Sequence, residues 1–190
     1  MLMDTVDESR TSSFSKPVPN VVLYHADCVD GFGAAWALWK RFPKAEYIPV
    51  KHGQPPPSSF DGKHVLMVDF SYERKVIEEI HKAAASFQIL DHHVTAQAAL
   101  DGLPYAYFDM KKSGAVLAWE WVHQEPPPWL LLYIQDKDLW EWRLPKSREI
   151  SAALASYPLD FEIWEALDQK MLEIEGSAIL RFEVALIEKI

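Results

Sequence analysis

Three short segments of this chain carry side chains from which a metal centre can be assembled. Asp91-His92-His93 follows the apolar run Phe87-Gln88-Ile89-Leu90, and His25, Asp27 and Asp30 follow Val21-Val22-Leu23-Tyr24. Asp69 closes a third run, Val65-Leu66-Met67-Val68. Carboxylate and imidazole ligands suit Mn²⁺, Mg²⁺, Co²⁺ or Fe²⁺, and Zn²⁺ also takes such sites. Several carboxylates crowded together repel one another unless cations neutralise them, so their convergence would itself predict bound metal. Two ions roughly 3.5–4 Å apart, usually bridged by one carboxylate, are a common device for attack on phosphorus by activated water. Asp69, alone at the end of the middle run, is the expected bridge.

The elements that must position these residues follow from the runs that precede them. Each run is short, continuous and largely β-branched or apolar, the pattern of a strand buried on both faces of a parallel sheet. Helix-like stretches lie between, so the chain reads as a doubly wound α/β domain. In such sheets ligands bind beyond the carboxyl ends of the strands, at a topological switch point. That rule brings all three segments to one crevice. Gly31-Phe32-Gly33 opens a helix that ends near Phe42-Pro43, and Tyr47-Ile48-Pro49-Val50 reads as an edge strand because it carries a proline. Gln54 to Ser59 is a stiff proline-rich loop. A helix is expected from about Tyr72 to Ala85, striped by Val76, Ile77 and Ile80. Tyr105 to Phe108 reads as a further strand, and Ser113-Gly114-Ala115 starts a helix closed by Pro126-Pro127-Pro128. From Trp129 the pattern is helical, broken near Pro145, Pro158 and Gly176, with a last helix over Ala178 to Ile190.

Composition narrows the function classes. Hydrophobic residues make up 49% and charged residues 25% of the 190, ordinary for a globular protein with one full-sized domain. A net charge of −9 argues against long duplex nucleic acid, which needs a basic footprint. It leaves a phosphorylated small molecule or short oligonucleotide open, because divalent cations invert the local field. Cys28 is the single cysteine, so no internal disulfide forms and a cytoplasmic location is expected. Residues 1–18 read as a polar tail without the apolar core of a leader, and no stretch is long and apolar enough to cross a bilayer. Of the eight tryptophans, Trp119, Trp121, Trp129, Trp140 and Trp142 cluster in the second half. They are expected to pack a helical layer rather than to form a base-stacking platform.

Three secondary candidates remain. In Gln135-Asp136-Lys137-Asp138 two acids interrupt an apolar helix, and the residues alone leave it even whether either faces a site. Lys112, Ser113 and Gly114 precede a helix start where backbone N–H groups and lysine could cradle a phosphate, or where a helix is simply capped. His52, His64, His81 and His123 are expected to be surface or locally hydrogen-bonded residues, and Cys28 a small packing residue.

Asp91-His92-His93, with His25-x-Asp27-x-x-Asp30-Gly31 upstream, Asp69 between and Asp136 downstream, resembles the DHH phosphoesterase superfamily over roughly Val21 to Trp142. The resemblance implies a Rossmann-like parallel sheet of five strands flanked by helices, with a two-manganese centre in which Mg²⁺ or Co²⁺ is an alternative. Carried over, His25 and Asp27 would hold one ion, Asp30 and His92 the other. Asp69 would bridge them, and Asp136, favoured over Asp138, would complete the second ion's shell. Asp91 would orient the neighbouring imidazole, His93 would face the substrate phosphate, and Ser113-Gly114 would lie near the substrate. Many members separate the first motif's acids by one residue, whereas Cys28 and Val29 intervene here. Members usually also carry a second domain with a Gly-Gly-x-His-type segment, which nothing here matches. The expected organisation is therefore a metal-binding α/β domain over 19–145 and a helical extension over 146–190 leading toward an absent second domain. The implied activity is metal-dependent phosphoester hydrolysis, with phosphodiester, pyrophosphate or polyphosphate substrates, or a non-catalytic metal- or nucleotide-binding module.

Overall fold

The computed structural model describes residues 16–57 and 59–173. Most of the expected polar tail and the expected helix over 178–190 lie outside the described residues. Five parallel strands form one sheet: β1 (Val21–His25), β2 (Glu46–Val50), β3 (His64–Val68), β4 (Ser86–Asp91) and β5 (Ala106–Phe108), in the order β2-β1-β3-β4-β5. Six helices alternate with or follow them: α1 (Val29–Trp39), α2 (Arg74–Ala83), α3 (Val94–Ala99), α4 (Gly114–Val122), α5 (Trp129–Asp138) and α6 (Ser147–Ser156). A seventh, α7, covers 161–173 within the described residues. The fold is the expected α/β sheet flanked by helices with a helical C-terminal part, and β2 lies at an edge as its proline requires. α3 was not legible in the sequence, because it buries none of its residues and so has no apolar stripe.

The strand runs are continuous in apolarity because successive side chains enter different cores. Val22, Leu66, Val68 and Leu90 join the layer of α1, α4 and α5, while Val21, Leu23, Val65, Met67 and Ile89 join the layer under α2. α1 is buried from Asp30 through Leu38. It packs closely because a Cβ at Gly33 would approach Ala115 Cβ to 2.9 Å. Residues beyond 145 belong to the same packing: Leu154 and Trp164 are buried in that layer, and Phe161 stacks on Phe32 at 4.9 Å and on Trp39 at 5.3 Å. Lys40, which caps α1, pairs with Glu165 of α7 at 2.8 Å. Among the described residues no helix is long and apolar enough to cross a membrane.

What positions the site is the strand order. β2 lies on one side of β1 and β3 on the other, so the winding reverses between β1 and β3. The crevice of a parallel sheet opens at that reversal. His25 ends β1, Asp69 directly follows β3, and Asp91 ends β4 beside it.

Candidate metal centre

Asp69 is the hub. It is 1% exposed and takes a left-handed backbone, φ 53°, which turns the chain out of β3. His92 Nε2 lies 3.1 Å from its Oδ1, and His25 Nδ1 lies 3.7 Å from its Oδ2. Burial pushes the Asp69 carboxyl up, but the imidazoles of His25 and His92 beside it outweigh this and hold it below the usual carboxylate range. The histidines respond in the opposite sense. The Asp69 carboxylate raises His25, and His92, despite burial that pulls it down, is lifted to about 9 by Asp69 and the neighbouring acids.

Around this hub stand two further carboxylates. Asp30 Oδ2 is 3.5 Å and Asp138 Oδ2 3.6 Å from His92 Nε2. Burial first, and then the charges of Asp69 and Asp138, push the Asp30 carboxyl well above its ordinary range. Burial also raises Asp138. Three carboxyl groups are thus held against one imidazole, and their ionised forms are disfavoured by the crowding that divalent cations relieve. The possible ligand atoms fall into three groups, each within 4.8 Å: His25, Cys28 and Asp69; Asp69, His92 and His93; and Asp30, His92 and Asp138.

Asp91 does a different job. It is fully buried, and its Oδ1 accepts the His93 Nδ1–H at 2.6 Å and the His92 backbone N–H at 2.7 Å, while its Oδ2 accepts the Ser71 hydroxyl at 2.7 Å. It therefore orients His93, and this hydrogen bond raises the His93 pKa.

Four expectations change. Asp27 does not join the cluster. Its side chain is 77% exposed and pairs with Lys51, because the left-handed backbone at φ 53° turns it outward. Cys28, expected only to pack, closes the group of His25 and Asp69 instead, as a thiol that burial pushes up to about 12.

Asp136 faces away from the metal groups. Its carboxylate accepts the backbone N–H of Arg143 at 2.8 Å and of Leu144 at 3.2 Å. Asp138, from the same helix end, stands in the place expected for Asp136.

The α4 N-terminus, expected as a phosphate cradle, is filled by the protein itself. Asp30 accepts the Gly114 N–H at 2.6 Å and the Ala115 N–H at 3.0 Å, and the Ser113 hydroxyl caps the helix through Val116 N–H at 3.4 Å. Gly114 thus serves Asp30, while Ser113 caps the helix and donates its N–H to Gln135 Oε1 at 3.1 Å. Lys112 is drawn off to Glu120 and to Asp109, the latter at 3.6 Å.

His52, two residues beyond β2, was also missed as a neighbour of the site. Its ring lies 5.8 Å from that of His25 and 4.5 Å from that of Phe70. Its position at a strand's carboxyl end was the available signal. His64, His81 and His123 make the local contacts expected of them, with Ser86, Tyr105 and the Ala37 carbonyl.

No family model matches the chain. The chain is 33% identical to uncharacterized protein R106 of Acanthamoeba polyphaga mimivirus over 97% of its own length. It spans about half of that relative, 49%. Among solved structures, an uncharacterized protein from Helicobacter pylori G27 superposes with a TM-score of 0.54 at 14% identity, covering 65% of this chain and 44% of that one. That likeness concerns the fold alone.

The close approach of α4 to β3 makes a local prediction. A Cβ at Gly114 would lie 2.5 Å from Asp69 Cβ and 2.8 Å from its Oδ1, contacts that no rotamer relieves. Gly114→Ala is expected to cost roughly 2–4 kcal/mol of stability through overpacking and displaced Asp30 hydrogen bonds. Urea denaturation measures it, and an unchanged midpoint would contradict the packing described.

Proposed function

We propose that this chain is a metal-dependent phosphohydrolase, acting on phosphodiesters of short oligonucleotides or on a small nucleotide or phosphate compound. Two Mn²⁺ ions are the cofactor this reading favours, with Mg²⁺ or Co²⁺ as substitutes. The observation that carries it is the convergence of Asp30, Asp69 and Asp138 on His92 at the sheet's switch point. Among the described residues the ion-pair partners of these three carboxylates are histidines. The donor set, hard oxygens with imidazole, fits manganese or magnesium.

Paired divalent ions, when bound, supply an activated water and a clamp on phosphate oxygens. The chain's own residues prepare for that. His25 and His92 approach different oxygens of Asp69, so this carboxylate is placed to be shared between a group with His25 and a group with His92, Asp30 and Asp138. The α4 N-terminus holds both oxygens of Asp30, fixing its direction at no cost in rotamer freedom during turnover. Asp91 fixes the tautomer of His93 with the proton on Nδ1, which leaves Nε2 to meet a phosphate oxygen or exchange a proton there.

The test is a panel of phosphoesters, including dinucleotides, cyclic nucleotides, pyrophosphate and polyphosphate, assayed with Mn²⁺. Hydrolysis of at least one, saturable in Mn²⁺ and abolished by a chelator, is the expected result. Tight Mn²⁺ binding with no turnover on any member would overturn the reading in favour of a non-catalytic metal- or nucleotide-binding module.

A further inference from the structure

The loop after Asp138 holds one tryptophan in the open. Trp140 is 72% exposed, whereas Trp36 and Trp164 are fully buried and Trp119 nearly so. Its backbone is left-handed at φ 57°, and Trp142 follows with φ 54°. Bulky residues rarely take that conformation, which persists only where the surroundings over-determine it.

Here they do. Asp136 gathers the loop: its carbonyl accepts the N–H groups of Glu141 at 2.9 Å and Trp142 at 3.2 Å, and its carboxylate accepts those of Arg143 and Leu144. Trp142 packs edge-on against Trp140, ring centroids 5.1 Å apart, and carries the Arg148 guanidinium 4.4 Å from its ring. A strained backbone and a solvent-exposed indole are both unfavourable, yet the chain spends a buried aspartate on keeping them. They sit two residues after Asp138, so the two Cα atoms are at most about 7.6 Å apart.

We infer that Trp140 is a specificity-determining residue whose indole stacks on the nucleobase of a nucleotide substrate while the phosphate lies at the Asp30–Asp69–Asp138 cluster. The placement of the phosphate rests on the phosphohydrolase reading; the stacking narrows the substrate to nucleotides. Stacking suits this protein because its net charge of −9 does not favour a polyanion, whereas a ring face binds a base without cationic partners. A ring face accepts any base, so the preference is for a nucleotide over other phosphates rather than for one base.

The test compares the wild type with Trp140→Asn, which keeps a residue tolerant of the left-handed backbone, and with Trp140→Phe, which keeps a ring. Binding of AMP and of ribose 5-phosphate is measured by calorimetry with Mn²⁺ present. Trp140→Asn is expected to weaken AMP binding about tenfold or more, with ribose 5-phosphate unchanged and Trp140→Phe retaining most of the affinity. Should the wild type hydrolyse a dinucleotide, its KM rises in Trp140→Asn with kcat little changed. Equal AMP binding by wild type and Trp140→Asn overturns the proposal, as does a wild type that binds AMP no more tightly than ribose 5-phosphate. Trp140-dependent AMP binding without hydrolysis of any phosphoester sustains the stacking and overturns the phosphohydrolase reading alone.

Discussion

Asp69→Asn is expected to lower metal-dependent phosphoester hydrolysis by a factor of roughly 10²–10³ or more with the fold intact. Asparagine matches aspartate in shape and tolerates the left-handed backbone at φ 53°, so the exit from β3 survives. It replaces an anionic oxygen with a neutral amide, a weaker ligand that cannot offer a charged oxygen to each of two ions. The same change removes the nearest charge acting on Asp30 and the hydrogen-bonding anion that lifts His92. In the metal-free protein the His92 pKa should therefore fall from about 9 toward its ordinary value, observable by NMR titration. Thermal stability without metal should fall modestly, because a carboxylate whose folded pKa is lowered favours folding in its ionised form at neutral pH. Calorimetry would show Mn²⁺ binding weakened or lost. Wild-type turnover in this variant would end the case for Asp69 as the shared ligand.

The second large effect separates two acids on one helix. Asp138→Ala is expected to remove most metal-dependent activity and to leave the metal-free protein as stable or more so. Burial and the Asp69 charge raise its folded pKa, so at neutral pH its ionised form opposes folding. Asp136→Ala should do the reverse, keeping Mn²⁺ binding where the protein still folds but costing roughly 1–3 kcal/mol as part-buried N–H groups of the following loop lose their acceptor.

pH gives an independent sign. Burial pushes Asp136 up, but the nearby Ser147 hydroxyl and the Arg143 and Leu144 N–H groups hold its carboxyl below the ordinary 3.8. Its contribution is present above that unfolded value and is lost as pH falls through the lower folded one, so Asp136→Ala should flatten the acid limb of the stability curve. Urea midpoints from neutral pH down to the onset of acid unfolding, with Mn²⁺ titrations on both variants, measure the pair. If Asp136→Ala loses metal binding while folded and Asp138→Ala is silent, the assignment is inverted.

Much of the aspartate–histidine cluster was legible because parallel strands announce themselves. A buried strand must be apolar on both faces, and a polar residue at its carboxyl end has left the sheet for the crevice. That argument located His25, Asp69, Asp91 and His92 without any contact being known, and Asp30 one helical turn further on. It failed where direction rather than position mattered. Asp27 sits beside the right strand end, but a left-handed turn points it at Lys51. Lys112 and Ser113-Gly114 stand at a real helix start, yet Asp30, distant in sequence, already occupies its N–H groups.

The sequence by itself determined the strands, their common carboxyl-end crevice and the acidic, histidine-rich chemistry placed there, because burial on two faces dictates residue type locally. Only the tertiary structure decided which neighbouring acid does what. Residues two apart on a helix point about 200° away from each other, so Asp136 and Asp138 must serve different surroundings. Which of them meets His92 depends on how α5 is rotated against α1 and α4, and no local pattern encodes that rotation. The same packing turns Asp136 into the anchor of the loop that leaves Trp140 in solvent, a role that composition assigned to none of the tryptophans.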